Sequence, residues 1–420
     1  MQYTTGKNAE RPSLTISKPT ALAITAALMA LLAYEVVKHN AWGMALVIVV
    51  LLVSVCLHEL AHFWVARKCG VKVTEYFVGF GPRIWSTTRN GIEYGIKALP
   101  LGGYVKIIGM NTAEEVAPED EPFTYRQASF GRKVAIVAAG PIMNIFLCLV
   151  IVWAAFAFVG IPTQQLGTQI IGFNDIGQIS PAQKAGMGFG DIIQSVDGQA
   201  VQSSQQLSGI IQSHHGQAVH ITVKTPSGST KTYLVHPGLV TVNGKTQYML
   251  GIQVDYPMVN VKQNVFVAAK DSVTRSWAVS LVEIKALGNI FSPSGFHTYA
   301  QEITNPKAQP QAGTERLSSP VGIVRAASQA QAAGPIYLLL LLAIINLSLG
   351  ILNILPLPPL DGGHIAVATY ERVRSRKSRR YFAKPERVVL ITIAVLSVLA
   401  VASVASIYLD FVKPLPNPFG

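Results

Sequence analysis

Two histidines spaced four residues apart, with a glutamate next to the first, are the residues of this chain that point most directly to chemistry: His58-Glu59-Leu60-Ala61-His62. On a helix this spacing sets both imidazoles on one face, where two neutral ring nitrogens can ligate zinc. Glu59 then stands beside a water held there and can accept its proton. HExxH alone is a short pattern that a hydrated helix end could also carry. Its surroundings weigh against that reading, because Leu51-Leu52-Val53-Ser54-Val55 runs directly into it. An uncompensated carboxylate near hydrocarbon costs about 3 kcal/mol, so something has to compensate His58, Glu59 and His62.

A third ligand is needed, and a second polar cluster stands at the end of another apolar run: Asn353-Ile354-Leu355-Pro356-Leu357-Pro358-Pro359-Leu360-Asp361-Gly362-Gly363-His364. The prolines break the helix and the glycines permit tight turning, so Asp361 can point sideways toward the histidine pair. A helix cap or turn is the plainer reading of Asp361. His364 reads as a turn or supporting residue in preference to a ligand. Asn353, an amide eight residues before Asp361, could donate to substrate or a developing oxyanion, or could hold helices together; both readings stand. The cysteines, Cys56, Cys69 and Cys148, have no CxxC spacing and specify neither a disulfide framework nor a thiolate metal site.

The elements that position these groups follow from composition. Of 420 residues 50% are apolar and only 13% charged, against roughly 25% charged in soluble domains, which argues against a cytosolic globular enzyme. Apolar segments fall at 20–36, 43–66, 134–159, 333–357 and 388–409. The first is short of the ~20 residues needed to cross and could be a short span, an uncleaved anchor or part of a signal peptide. With the N-terminus inside, Arg67, Lys68, Arg132, Lys133 and the segment Arg372, Arg374, Arg376, Lys377, Arg379, Arg380 all fall on the inner side, as the positive-inside rule requires. The excess of 34 basic over 22 acidic residues is therefore read as inner-face anchoring with anionic-lipid contact, not nucleic-acid binding.

Between the second and third runs, 72–78 and 93–99 alternate as two short strands separated by Gly79, Gly81, Pro82 and a polar Thr87-Thr88-Arg89-Asn90-Gly91 turn. Gly102 and Gly103 would allow close backbone approach there. Gly140, Pro141 and Asn144 read as a helix–helix contact. The expected organisation is an N-terminal extension at 1–42, a first catalytic half at 43–159, a compact α/β domain at 160–257, a connector with an amphipathic helix at 258–332, and a second half at 333–420.

HELAH at 58–62, VGFGP at 78–82, ALPLGGYVKIIGM at 98–110, AAGPIMN at 138–144 and NILPLPPLDGGH at 353–364 occur in the order of the site-2 protease family. The chain resembles its bacterial regulators of intramembrane proteolysis, close to the actinobacterial branch. The run Ser180–Gly198 is similar to PDZ domains of envelope proteases, with Ile170-Ile171-Gly172-Phe173 assigned to the peptide-carboxylate loop.

The resemblance implies a polytopic α-helical membrane protein with a site-2 protease-like core, a membrane-associated β-hairpin bordering the active site, and one extracytoplasmic PDZ-like α/β domain where some relatives carry two. It further implies Zn2+ held by His58, His62 and Asp361, Glu59 as general base, and an active site near the cytoplasmic face of a bacterial membrane. The expected activity is cleavage within transmembrane segments of single-pass proteins, such as anti-sigma factors or remnant signal peptides, already cut by another protease. A catalytically silent adaptor binding proteins through the outer domain is the alternative. A zinc transporter is disfavoured, since one end-located cluster offers no path across both leaflets.

Overall fold

A computed structural model describes residues 18–111, 114–165, 167–174, 179–242, 245–305, 316–375 and 381–417. Among them four helices are long and apolar enough to cross a membrane: α2 (Trp42–Lys68), α3 (Phe130–Ala154, continued by a π turn to Val159), α9 (Pro335–Ile354) and α11 (Pro385–Val412). The preceding helix α1 (Lys18–Lys38) is not one of these four. It packs on α2 and on the hairpin that follows, where the Thr25 hydroxyl donates to the Ala98 carbonyl at 2.5 Å.

That hairpin is longer than the alternation in sequence suggests. Strand β1 (Val73–Arg89) pairs antiparallel with β2 (Ile92–Ile107) around an Asn90-Gly91 turn with positive φ at both residues. The residues expected to separate short strands instead bend continuous ones. Gly79 and Gly81 adopt φ of 89° and 84°, which L side chains resist, and repeated register shifts bulge the ladder. Phe63 on α2 meets Tyr76 and Tyr94 of the hairpin edge-on, so the sheet is fixed against the helix carrying the histidines.

The chain divides into two compact units, 158–263 and the remainder. In the smaller unit, α4 (Pro181–Lys184) and α5 (Ser204–Ser213) accompany β3 (Ile161–Gln164), β4 (Thr168–Phe173), β5 (Ile192–Val196), β6 (Gln199–Ala200), β7 (Val219–Lys224), β8 (Thr230–Val235), β9 (Gly238–Val242), β10 (Lys245–Met249), β11 (Ile252–Asp255) and β12 (Met258–Val261). Its main sheet runs β11-β4-β5-β7-β8 with β6 beside β5. Ile170, Ile193, Val196, Leu207, Ile211, Val219, Ile221 and Val235 form its core, as period-two strands and an amphipathic helix require. Residues 170–173 lie in strand β4, with Ile170, Gly172 and Phe173 paired to β11 and the Ile170 side chain fully buried. They do not form a free loop.

In the larger unit α3 is the hub, packing on α2, α9 and two further helices, α6 (Val265–Ile290) and α10 (Asp361–Arg374). Helices α7 (Pro293–Thr304) and α8 (Pro320–Ala333) complete it. Proline opens α7, α8, α9 and α11, at the position where its missing N–H costs nothing. A buried Arg316–Asp410 pair at 2.8 Å ties the entry to α8 to the end of α11.

Candidate metal centre

The histidines stand on α2 ten and six residues before its last residue, and Asp361 is the first residue of α10, which α3 holds close. His58 Nε2 lies 3.1 Å from His62 Nε2 and 3.1 Å from Asp361 Oδ2, and the third edge, His62 Nε2 to Asp361 Oδ2, is 3.4 Å. Two ring nitrogens and a carboxylate oxygen thus form a nearly equilateral triangle. For zinc with bonds of 2.0–2.1 Å in tetrahedral geometry the expected edge is about 3.3 Å.

The protein's own hydrogen bonds leave this triangle unsatisfied. The His62 Nδ1–H donates to the Ile136 carbonyl at 2.7 Å, which turns the Nε2 lone pair inward. Asp361 Oδ2 is buried without a well-aligned donor although both histidines are near. Nitrogens and an oxygen converging as acceptors are what a cation needs and what a hydrogen-bonded core avoids, so the residues fit zinc.

Space for an ion comes from Gly140 on α3. A Cβ there would lie 2.3 Å from His62 Nε2 and 2.5 Å from both His58 Cε1 and Nε2. Sequence reasoning assigns Gly140 only to helix contact, and nothing in the local pattern distinguishes the two uses. Asn144, one turn on, is buried against Gly350 of α9 as a helix contact, but its Oδ1 is unpartnered and no bond from the amide across that contact is seen among the described residues.

Gly362 and Gly363 act differently from expectation. Neither has a positive φ among the described glycines. They are helical residues pressed on the preceding loop, where a Cβ on Gly362 would meet the Ile354 and Leu355 carbonyl oxygens at 2.1 and 2.3 Å. That close approach sets Asp361 against α2.

Val105 of β2 brings its backbone N–H beside the Glu59 carboxylate. Gly102 and Gly103 let the same strand lie against Val55 and Cys56, one turn before the motif, and the Tyr76 hydroxyl donates to the Cys56 carbonyl at 2.9 Å. The hairpin therefore touches the base directly. Asn353 is half-buried on the last turn of α9, and its side chain makes no hydrogen bond among the described residues. His364 lies edge-on to Tyr125, and burial pushes its imidazole down toward the neutral form, which suits a supporting residue.

A buried pair at the base of α3, missed in the sequence, also fixes α10. Lys133 Nζ lies 2.8 Å from Glu371 Oε2 and beside the Tyr125 ring, while Glu371 Oε1 accepts from the Ala383 N–H. In sequence Lys133 is one more flanking cation, and no spacing links it to a residue 238 positions away. Of the basic segment, Arg372 and Arg374 belong to α10, with Arg374 over the Tyr370 and Tyr381 rings; 376–380 lies outside the described residues.

The model of peptidase family M50 matches residues 46–399. The zinc metalloprotease Rip1 of Mycobacterium tuberculosis is 30% identical over 415 residues, covering 89% of this chain and 98% of that protein. Rip1 of Mycolicibacterium smegmatis is 31% identical with the same coverage. The regulator of sigma-E protease RseP of Salmonella typhimurium is 26% identical, covering 79% and 91%. Among solved structures, the PDZ domain of an SdrC-like protein from Listeria monocytogenes is 24% identical over 22% of this chain and 93% of its own, with a TM-score of 0.19.

Proposed function

The chain belongs to peptidase family M50, the site-2 protease family, and is an intramembrane zinc metalloprotease; from that premise we propose that His58, His62 and Asp361 hold the ion and Glu59 is the general base. The observation that carries this assignment is the 3.1–3.4 Å triangle of ligand atoms, drawn from helices some 300 residues apart in sequence. Zinc bound there supplies a Lewis acid for the scissile carbonyl and brings the pKa of water toward 7.

The chain's own residues do the rest. Glu59, beside the Val105 N–H, takes the proton of the attacking water at its carboxylate and passes it to the leaving amine. A transmembrane helix hides its carbonyls in internal hydrogen bonds, so substrate has to be held extended before attack. The β1–β2 hairpin, in contact with the base, is suited to hold it by strand pairing. Asn353 stands as a donor to the substrate carbonyl from the end of α9.

Arg67, Lys68, Arg132, Lys133, Arg372 and Arg374 cluster at helix ends, which supports a cytoplasmic position for the metal centre and an extracytoplasmic one for residues 158–263. Arg372 and Arg374 supply charge for anionic lipid. The smaller unit is read as a PDZ-like filter that turns away proteins with bulky outer domains. The substrates are single-pass membrane proteins already trimmed by another protease, in keeping with relatives named as regulators of sigma-E.

In liposomes Glu59→Gln is expected to keep zinc and lose cleavage of a transmembrane peptide. His58→Ala, His62→Ala and Asp361→Ala lose both. Parental cleavage by Glu59→Gln would remove Glu59 as the base, and an adaptor would cleave in no form.

A further inference from the structure

Helix α6 is too polar and α7, at 12 residues, too short to count among the four spans, and by sequence they belong to an extramembrane connector. Their contacts place them elsewhere. Helix α6 starts level with the end of α3, where the Trp153 indole N–H donates to the Val265 carbonyl at 3.0 Å. Further along, Ser276 meets Cys148 at 3.6 Å, six residues or about 9 Å short of the end of α3 at Ala154. Further still, the Ser348 hydroxyl donates to Glu283 at 2.9 Å. Ser348 is thirteen residues into α9, about 20 Å from its start, in a hydrocarbon layer about 30 Å thick.

Helix α7 makes the return. The Tyr299 hydroxyl bonds Ser406 of α11, six residues from the helix end at Val412, and Lys413 donates to the Glu302 and Asn305 carbonyls. Antiparallel spans put the end of α3, the start of α9 and the end of α11 on one side of the membrane. The chain goes in along α3 and α9 and comes out along α11 on the side it entered.

The turn between the helices meets the requirement for irregular backbone at depth, that its polar groups be satisfied within the protein. The Phe291 N–H donates to Leu287, the Ser292 N–H and hydroxyl both donate to the Asn289 carbonyl, and the Gly295 N–H donates to the Ser292 hydroxyl. Gly295 is pressed on the end of α6, where a Cβ would lie 2.1 Å from the Asn289 oxygen.

The faces of α6 sort in the same sense. Ala268, Ser272 and Ser276 are buried, while Val273, Trp277, Leu281 and Ile284, spaced by four, four and three, are each more than half exposed. Lys270, Asp271 and Arg275 fall in the first three turns, Glu283 is turned to Ser348, and Lys285 is the charge carried deep and exposed. We infer that residues 265–304 form a re-entrant helical hairpin, entering and leaving the bilayer on the side where α3 ends, with Val273, Trp277, Leu281 and Ile284 against lipid acyl chains.

The test uses the full chain with Cys56→Ser, Cys69→Ser and Cys148→Ala, and single cysteines at Leu281, Ile284 or, as an exposed control, Lys231. Each is labelled in detergent with an environment-sensitive nitrobenzoxadiazole, checked for the parent's thermal transition, and reconstituted in phosphatidylcholine vesicles. Val273 and Trp277 replace any position whose variant fails that check. The probes at 281 and 284 are expected to be quenched more by lipid spin-labelled at acyl carbon 12 than at the head group, with iodide quenching at least about tenfold weaker than at 231. Quenching from the head-group position alone would put α6 on the membrane surface, and iodide quenching equal to that at 231 would put this face in water. Either result overturns the hairpin, and neither bears on the catalytic assignments.

Discussion

Replacing Gly140 by alanine is the sharpest test of the metal centre, because it alters no ligand. The added Cβ would lie 2.3 Å from His62 Nε2 and 2.5 Å from His58 Nε2, against ordinary contacts of about 3.4 Å or more, so rings or helix have to move by about 1 Å. Zinc sites tolerate about 0.2 Å in bond length, and His62 is anchored through Nδ1 to Ile136, so its ring cannot simply rotate away. A misplacement of about 1 Å typically costs about 100-fold. We expect Gly140→Ala to lose zinc during dialysis against a weak chelator that leaves the parent loaded, and to cleave a transmembrane peptide at least about 100-fold more slowly. Zinc is read by mass spectrometry and cleavage in liposomes. The control is Gly131→Ala on the same helix, where a Cβ meets nothing within 4 Å. Zinc affinity equal to the parent's, with cleavage within about threefold, would refute the claim that Gly140 makes room for the ion.

Two further outcomes follow from the packing around Asp361. Lys133→Met strands the Glu371 charge in a buried site and should destabilise the chain by about 3–5 kcal/mol, whereas Lys133→Met with Glu371→Met should recover most of that loss; thermal unfolding in detergent reads both, and equal melting of single and double variants would deny the pair its coupling. Gly362→Ala, with carbonyl oxygens at 2.1 and 2.3 Å from the added carbon, should displace Asp361 and reduce zinc content while His58 and His62 remain, and unchanged zinc content would show that the loop yields without moving its ligand.

What could be read from sequence was set by periodicity and by residue type. HExxH places two imidazoles on one helix face through backbone geometry alone, and a carboxylate in an apolar context has to be explained by a partner, so His58, Glu59, His62 and Asp361 could be named before their distances were known. The apolar runs at 43–66, 134–159, 333–357 and 388–409 correspond to α2, α3, α9 and α11, because a bilayer demands length and composition of a single segment.

Distances between segments carry no such mark. Gly140 and Gly131 are the same residue on the same helix, yet one faces two imidazoles and the other open space. Lys133 and Arg132 are adjacent cations, and Lys133 is buried against Glu371. The α6–α7 hairpin was hidden for the same reason. Hydropathy averages over a helix, while α6 contains Lys270, Asp271, Arg275, Glu283 and Lys285 and its placement depends on which side each one faces. Tertiary contact decides that, so a helix polar enough to read as a connector can still pack against the middle of a span, provided its buried face is small, as at Ala268, Ser272 and Ser276, and its deep carboxylate finds a hydroxyl, as Glu283 finds Ser348.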